Sequence, residues 1–163
     1  MSNYVFLRII MQQNTKSYME LLKTQIEGLL IIKPQIFIDS RGLFFESYNE
    51  KTFESIGILD KFVQDNQSLS QKGVIRGLHY QRPPFAQAKL VRVIKGAALD
   101  VAVDIRKNSP TYGKYFSILL TGENNVQFYL PSGFAHGFAS LEDDTIFAYK
   151  CSHFYNKDSE ESI

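Results

Sequence analysis

From Glu20 onward, short apolar runs alternate with turn residues, the pattern of an all-β sandwich or barrel. The runs predict strands over 29–33, 44–47, 74–81, 90–95, 97–106, 115–120, 126–130, 137–141 and 145–152. The best short helix is 49–56, with Asn49 placed to cap its first turn. Asn108-Ser109-Pro110-Thr111-Tyr112-Gly113 is a turn, since proline presets φ and glycine tolerates a positive one.

Two of these runs are sided. Successive strand side chains alternate, so Asp100, Ala102 and Asp104 share one face and Val101, Val103 and Ile105 the other. The carboxylate face suits the solvated side of a sheet, or equally a barrel mouth where it would meet a histidine. In the last run Thr145, Phe147, Tyr149 and Cys151 share a face opposite Ile146, Ala148 and Lys150. Taken alone, Tyr149 is a packing residue first and an acid second.

Residues 73–81 read Gly-Val-Ile-Arg-Gly-Leu-His-Tyr-Gln. Imidazole is the side chain best suited to move a proton near neutral pH. Guanidinium grips a phosphate or sugar oxygen through a planar fork of hydrogen bonds. Arg76 and His79 together therefore suit an enzyme that holds an anionic substrate and takes a proton from it. The same pair also fits a surface cation and a core histidine. Three residues apart, they fall on opposite faces of a regular strand. To share a pocket the strand must slip phase, and Gly77 is the natural place for a bulge.

At 163 residues the chain has one domain's length, divided here into an extension over 1–18, polar around Gln12-Gln13-Asn14, and a domain over 19–163. Its 18 Lys and Arg against 17 Asp and Glu leave no basic field, which argues against a nucleic-acid partner. The longest aliphatic run, Leu29-Leu30-Ile31-Ile32, is far too short to cross a bilayer, so no membrane partner is expected. Residues 4–10 are interrupted by Arg8 and lack the basic start and small-residue cleavage site of a signal peptide. A single cysteine, Cys151, has no partner within the chain, which suits a reducing cytoplasm. With 13 Phe, 9 Tyr and no Trp, the aromatics favour strands and a ring-lined pocket.

Further segments join the first. They are Phe62-Val63-Gln64-Asp65-Asn66, Gln87-Ala88-Lys89-Leu90-Val91-Arg92, the Asp100 to Gly113 stretch, and Tyr129-Leu130-Pro131-Ser132-Gly133-Phe134-Ala135-His136-Gly137-Phe138. In order and at these spacings, residues 19–163 resemble the dTDP-4-dehydrorhamnose 3,5-epimerases. The resemblance implies a cupin-like jelly roll, a dimer whose N-terminal strands cross to the partner, and a nucleotide-linked keto sugar as substrate. It makes His79 the base and Tyr149, in Phe147-Ala148-Tyr149-Lys150, the acid on the opposite face of the sugar. It makes Arg76, Lys89 and His136 substrate contacts, with Arg41, Glu46, Gln64, Asp65, Asn66 and Glu160 as further contacts and Tyr155 stacked on the nucleotide base.

This chemistry suits the residue types. A 4-keto group acidifies the neighbouring carbons, so a base leaves an enolate and an acid across the ring returns the proton. The enolate oxygen needs a fixed positive partner, for which Lys89 is the candidate. No redox change occurs, so no nicotinamide cofactor is expected, and no Gly-x-Gly-x-x-Gly is present. Family members continue beyond the position of Ile163, and that segment carries the aspartate that pairs with the histidine base and another substrate contact. Asp100 and Asp104 are the carboxylates available to stand in for it.

Two alternatives remain. A metal-dependent cupin oxygenase or isomerase would use Pro131-x-Gly133-x-x-His136 as half of its signature. The other half wants His-x-His, whereas His79-Tyr80-Gln81 offers a glutamine, so no metal is expected. A non-catalytic or shortened nucleotide-sugar-binding homologue would keep the pocket without turnover.

Overall fold

The computed structural model describes Arg8–Ile9 and residues 19–163. In chain order its strands begin with β1 (Arg8–Ile9), β2 (Met19–Lys23), β3 (Leu30–Pro34), β4 (Phe37–Asp39) and β5 (Gly42–Phe44). After the helix α1 (Glu50–Ser55) come β6 (Gln64–Ser70), β7 (Ile75–Gln81), β8 (Lys89–Lys95) and β9 (Ala97–Asp104). The chain continues through β10 (Tyr115–Thr121), β11 (Gln127–Leu130), β12 (Phe134–Ser140), β13 (Thr145–Cys151) and β14 (Glu160–Ser162). Among the described residues these strands pair antiparallel in two main sheets, ordered β1-β2-β3-β11-β8-β13-β6 and β10-β9-β12-β7-β14. The two sheets face each other as the expected all-β sandwich with one short helix.

The core lies where the inward stripes of both sheets meet. Val91 and Phe147 from the larger sheet pack with Ala98, Leu120 and Phe138 from the smaller one. Phe138 and Phe147 stack with centroids 3.9 Å apart and planes 6° from parallel, worth about 1 kcal/mol beyond their buried area. The outer face of the larger sheet carries a second cluster, with Phe53 of α1 and Ile58 set against Ile32, Leu90 and Tyr129. Asn49 caps α1 as expected, its side-chain oxygen accepting from the N–H groups of Lys51 and Thr52.

Most expected strands appear within a residue or two of their bounds. The strand at 44–47 does not: the chain pairs earlier, as a separate β4–β5 hairpin. The strand at 137–141 begins at Phe134, because Phe134 to His136 extend the pairing with β9. β2, β6 and β14 were not foreseen, and β6 (Gln-Asp-Asn-Gln-Ser-Leu-Ser) is too polar to look like a strand. The expected extension over 1–18 lies outside the described residues apart from Arg8–Ile9, whose backbone pairs with β2.

On β9, Ala98, Asp100, Ala102 and Asp104 are all fully buried, while Leu99 is 39% exposed. The carboxylate face is therefore the inward one. Asp104 turns back on its own loop, accepting hydrogen bonds from Arg106, Ser109 and Thr111. Burial alone would raise its carboxyl pKa, but these donors hold it well below the usual carboxylate range. Its neighbour Arg106 also bonds the Glu27 carbonyl and lies over the Phe134 ring, tying the loop to both sheets.

The phase slip expected at Gly77 is present. His136 pairs with His79 and Phe138 with Arg76, so two steps along β12 match three along β7. Gly77 has φ +129°, and a Cβ there would lie 2.5 Å from the Gly137 Cα and 2.8 Å from the His136 carbonyl oxygen. Gly77→Ala is therefore expected to lose on the order of 1–3 kcal/mol of stability, read by chemical denaturation. An unchanged unfolding midpoint would show that the two strands can separate at no cost.

Candidate active site

Arg76 and His79, brought to one side of β7 by the bulge, face the larger sheet. With His136 of β12 they meet Asn66 of β6, Lys89 of β8 and Tyr149 of β13 around a cavity of about 600 Å³, whose apolar lining includes Phe138 and Phe147. A second cavity of about 270 Å³ shares Asn66, His79, Lys89 and Tyr149, and adds Gln64, Gln81, Cys151, Tyr155 and Glu160. The shared residues make one cleft of the two. His79 belongs to the smaller sheet and Tyr149 to the larger, so imidazole and phenol approach it from opposite walls.

Alternation explains the membership. On β13, Thr145, Phe147 and Cys151 are buried, and Tyr149 follows the same phase inward. On β8, Lys89 shares the inward phase with Val91 and Val93. On β6, Gln64 and Asn66 turn inward while Asp65 turns out to an ion pair with Lys150 at 2.8 Å. Asp65 is thus not brought into the cleft with its neighbours. Gln64 donates to the Asn66 side chain at 3.1 Å and accepts from the Tyr155 N–H at 2.9 Å. Tyr155 donates its hydroxyl to Glu160 at 2.9 Å, which joins those two expected contacts at the outer end.

Arg41 and Glu46 lie elsewhere. Arg41 sits at the tip of the β4–β5 hairpin, ion-paired with Asp39. Glu46 accepts from Asn49 and Thr52 at the start of α1. The hairpin exposes Phe37, Ile38, Leu43 and Phe44, with Ile38 at 79% and Phe44 at 70%.

Burial sets the electrostatics. It pushes the Lys89 ammonium below its ordinary pKa, while Cys151, Asp100 and Glu160 pull it back up. The Tyr149 phenol is raised, mainly by burial and also by Cys151 and Glu160, with Arg76 acting in the opposite direction. The Cys151 thiol is likewise raised by burial, against the lowering effect of Lys89 and of a hydrogen bond from Asn66. Arg76 donates from Nε to the Ser70 hydroxyl at 3.1 Å, which aims its guanidinium.

Neither carboxylate of β9 serves His79. Asp100 bonds His136 at 2.8 Å, and Asp104 is occupied by its own loop. Among the described residues no carboxylate pairs with the His79 ring. Among the described residues no three His, Cys, Asp or Glu side chains converge there; His153 packs edge-on against Phe85.

Sequence reasoning missed Ser68, whose buried hydroxyl lines the larger cavity without a hydrogen-bond partner among the described residues, and the function of Gln81. Gln81 bonds the carbonyls of Phe85 and Phe154 and the N–H of Asn156, fixing the loop that carries Tyr155. Residues 64–68 are polar at every position, so no alternation in the sequence marks Ser68.

The family model described as dTDP-4-dehydrorhamnose 3,5-epimerase matches residues 23–163. This chain belongs to the dTDP-4-dehydrorhamnose 3,5-epimerase family. A family member from Shigella flexneri, a dTDP-4-dehydrorhamnose 3,5-epimerase, is 53% identical over 146 residues, covering 89% of this chain and 81% of the relative. The dTDP-6-deoxy-D-glucose-3,5-epimerase of Legionella pneumophila Philadelphia 1, solved in complex with dTDP-4-keto-L-rhamnose, is 53% identical with a TM-score of 0.86, covering 89% and 77%. A 3'-monoepimerase from Streptomyces bikiniensis, solved with dTDP-quinovose, is 36% identical with a TM-score of 0.79, covering 85% and 71%. The jelly-roll expectation therefore holds, and the family match spans the cleft residues from Gln64 to Glu160.

The raised phenol gives a check on this geometry. The ultraviolet difference titration between the wild type and Tyr149→Phe should isolate one tyrosine that ionises above the ordinary value of about 10. A phenol ionising at or below that value would mean that Tyr149 is solvated rather than set into the cleft wall.

Proposed function

We propose that this protein is an epimerase that inverts C3 and C5 of a dTDP-4-keto-6-deoxyhexose, converting dTDP-4-dehydro-6-deoxyglucose to dTDP-4-dehydrorhamnose. The observation that carries this reading is the approach of His79 and Tyr149 to one cleft from opposite sheets, with Lys89 in the same lining. A second support is the Legionella relative, 53% identical and solved with dTDP-4-keto-L-rhamnose.

In this reading neutral His79 takes the proton from the carbon beside the keto group, and the C–H electron pair moves into the ring as an enolate. The Lys89 ammonium faces the oxygen on which that charge develops. Tyr149 then returns a proton to the opposite face, leaving a phenolate, and the enolate collapses to the inverted ketone. Exchange with solvent restores both groups before the second carbon reacts. Burial keeps the phenol protonated until it is used. Arg76 and His136 hold the sugar, and Gln64, Asn66, Tyr155 and Glu160 the nucleotide end. No cofactor takes part.

With dTDP-4-keto-6-deoxyglucose in heavy water, the wild type should place deuterium at C3 and C5. His79→Ala should lose roughly two to four orders of magnitude in turnover. Tyr149→Phe should turn over slowly and release material inverted at one carbon. A folded His79→Ala with near-normal exchange would remove His79 as the base, and complete double inversion at full rate by Tyr149→Phe would remove Tyr149 as the acid.

The reading extends to a homodimer in the cytoplasm. The apolar β4–β5 hairpin crosses to the partner and carries Arg41 to its cleft. Arg41→Ala and His79→Ala should each be inactive alone, yet co-expressed together they should recover activity. Half of the dimers are then hybrids with one intact cleft of two, giving about a quarter of the wild-type rate. No recovery, in a preparation shown by light scattering to be dimeric, would place Arg41 in its own chain's cleft, and an Arg41→Ala protein active alone would place it outside any.

A further inference from the structure

We propose that Asp100 is a positioning residue for His136, fixing the imidazole with Nε2–H turned into the sandwich and Nδ1 presented to the cleft as an acceptor for a sugar hydroxyl. The hydroxyl ligand rests on the reading in the preceding subsection; the orientation of the ring does not.

Asp100 stands mid-strand on β9, fully buried. His136 pairs with Ala102 and Phe138 with Asp100, so His136 and Asp100 are diagonal neighbours on the inward face of the smaller sheet. Their Nε2···Oδ2 distance is 2.8 Å, and His136 is 7% exposed. An ionised carboxylate can only accept, so Nε2 carries the hydrogen and the second nitrogen of a neutral ring is left as an acceptor. The ring lines the larger cavity beside His79, its partner across the β7–β12 ladder.

The contrast with Asp104 separates a structural carboxylate from this one. Both oxygens of Asp104 are occupied, by Arg106, Ser109 and Thr111. Asp100 has its Oδ1 buried without a hydrogen-bond partner among the described residues. A half-satisfied carboxylate in a sheet interior is costly, and an apolar residue of similar volume would serve the fold at least as well. Its one partner is a histidine that reaches the cleft, so the group is explained by what it does to that ring. It also stands close enough to Lys89 to oppose the loss of its proton through burial.

The test has two arms. In the free protein with ¹⁵N-labelled histidine, His136 (assigned by its loss in His136→Gln) should show the Nε2–H tautomer with Nδ1 unprotonated. Asp100→Asn should abolish that preference. An Nδ1–H ring in the wild type, or a tautomer indifferent to Asp100→Asn, overturns the proposal whether or not the protein turns over any sugar. In the kinetic arm Asp100→Asn should lower kcat/KM about 10- to 100-fold, yet change it less than about twofold in a His136→Gln background. Equal losses in both backgrounds would show that Asp100 acts on the fold or on Lys89 rather than through His136. Should Asp100→Asn fail to fold, the wild-type tautomer still decides.

Discussion

The backbone of Gly77 lies directly on that of Gly137, and the cleft depends on this contact. No side chain fits between them, so β7 and β12 approach at a point where β7 carries one residue too many. The extra residue turns Arg76 and His79, otherwise on opposite faces, toward the same interior. The strands also remain paired on either side of the bulge, which sets His79 directly across from His136. A guanidinium and two imidazoles thus reach one wall of the sandwich without any loop to carry them. A site built on paired strands is stiffer than one built on loops.

The opposite wall obeys a simpler rule. Strands β6, β8 and β13 keep their inward phase as they pass from core to pocket, the register shift between β8 and β13 falling before Phe147. On β13 this makes Phe147 core and Tyr149 site, two residues apart. On β8 it makes Val91 core and Lys89 site. The stacked Phe138 and Phe147 mark the boundary, since one side of the pair is close-packed and the other is the cavity. Core and site are therefore successive positions on the same stripes, and a change in sheet spacing would move both. The close match to solved epimerase-family structures, over 89% of the chain for the Legionella relative, accords with a frame of this stiffness.

Low polarity at the cleft wall then determines how each ionisable group behaves. Burial works against the charged forms of Lys89, Tyr149 and Cys151, and it is opposed only where another group is near. The carboxylates divide by what surrounds them. Asp104 is saturated with donors and secures a loop, whereas Asp100 among the described residues takes its hydrogen bond from His136 alone. Asp65, one residue from Asn66, is on the far side of the sheet with Lys150. Three aspartates, two on β9 and one on β6, thus have three different functions, set by phase and by register.

Much of this was legible in the chain itself. Alternation is a local property, so the strands from 74 to 152, the division of their side chains between two faces and the need for a slip at Gly77 followed from residue order. The motifs around Arg76, His79, Lys89, His136 and Tyr149 were sufficient for the family resemblance. β6 was not legible, because its inward positions carry cleft amides rather than apolar groups and its periodicity has no hydrophobic signal. β4 and β5 were misplaced because their hairpin packs on neither sheet, so no buried face marks its bounds. The partner of Asp100 could not be read either: alternation says that Asp100 and Asp104 share a face, but not which face is inside. That answer, and the choice of His136 over His79, comes from strand register and sheet pairing, which depend on contacts between residues far apart in sequence. Residue order determined the side chains and their phase; only the tertiary structure decided which of them meet, because meeting depends on distances between strands that local geometry leaves free.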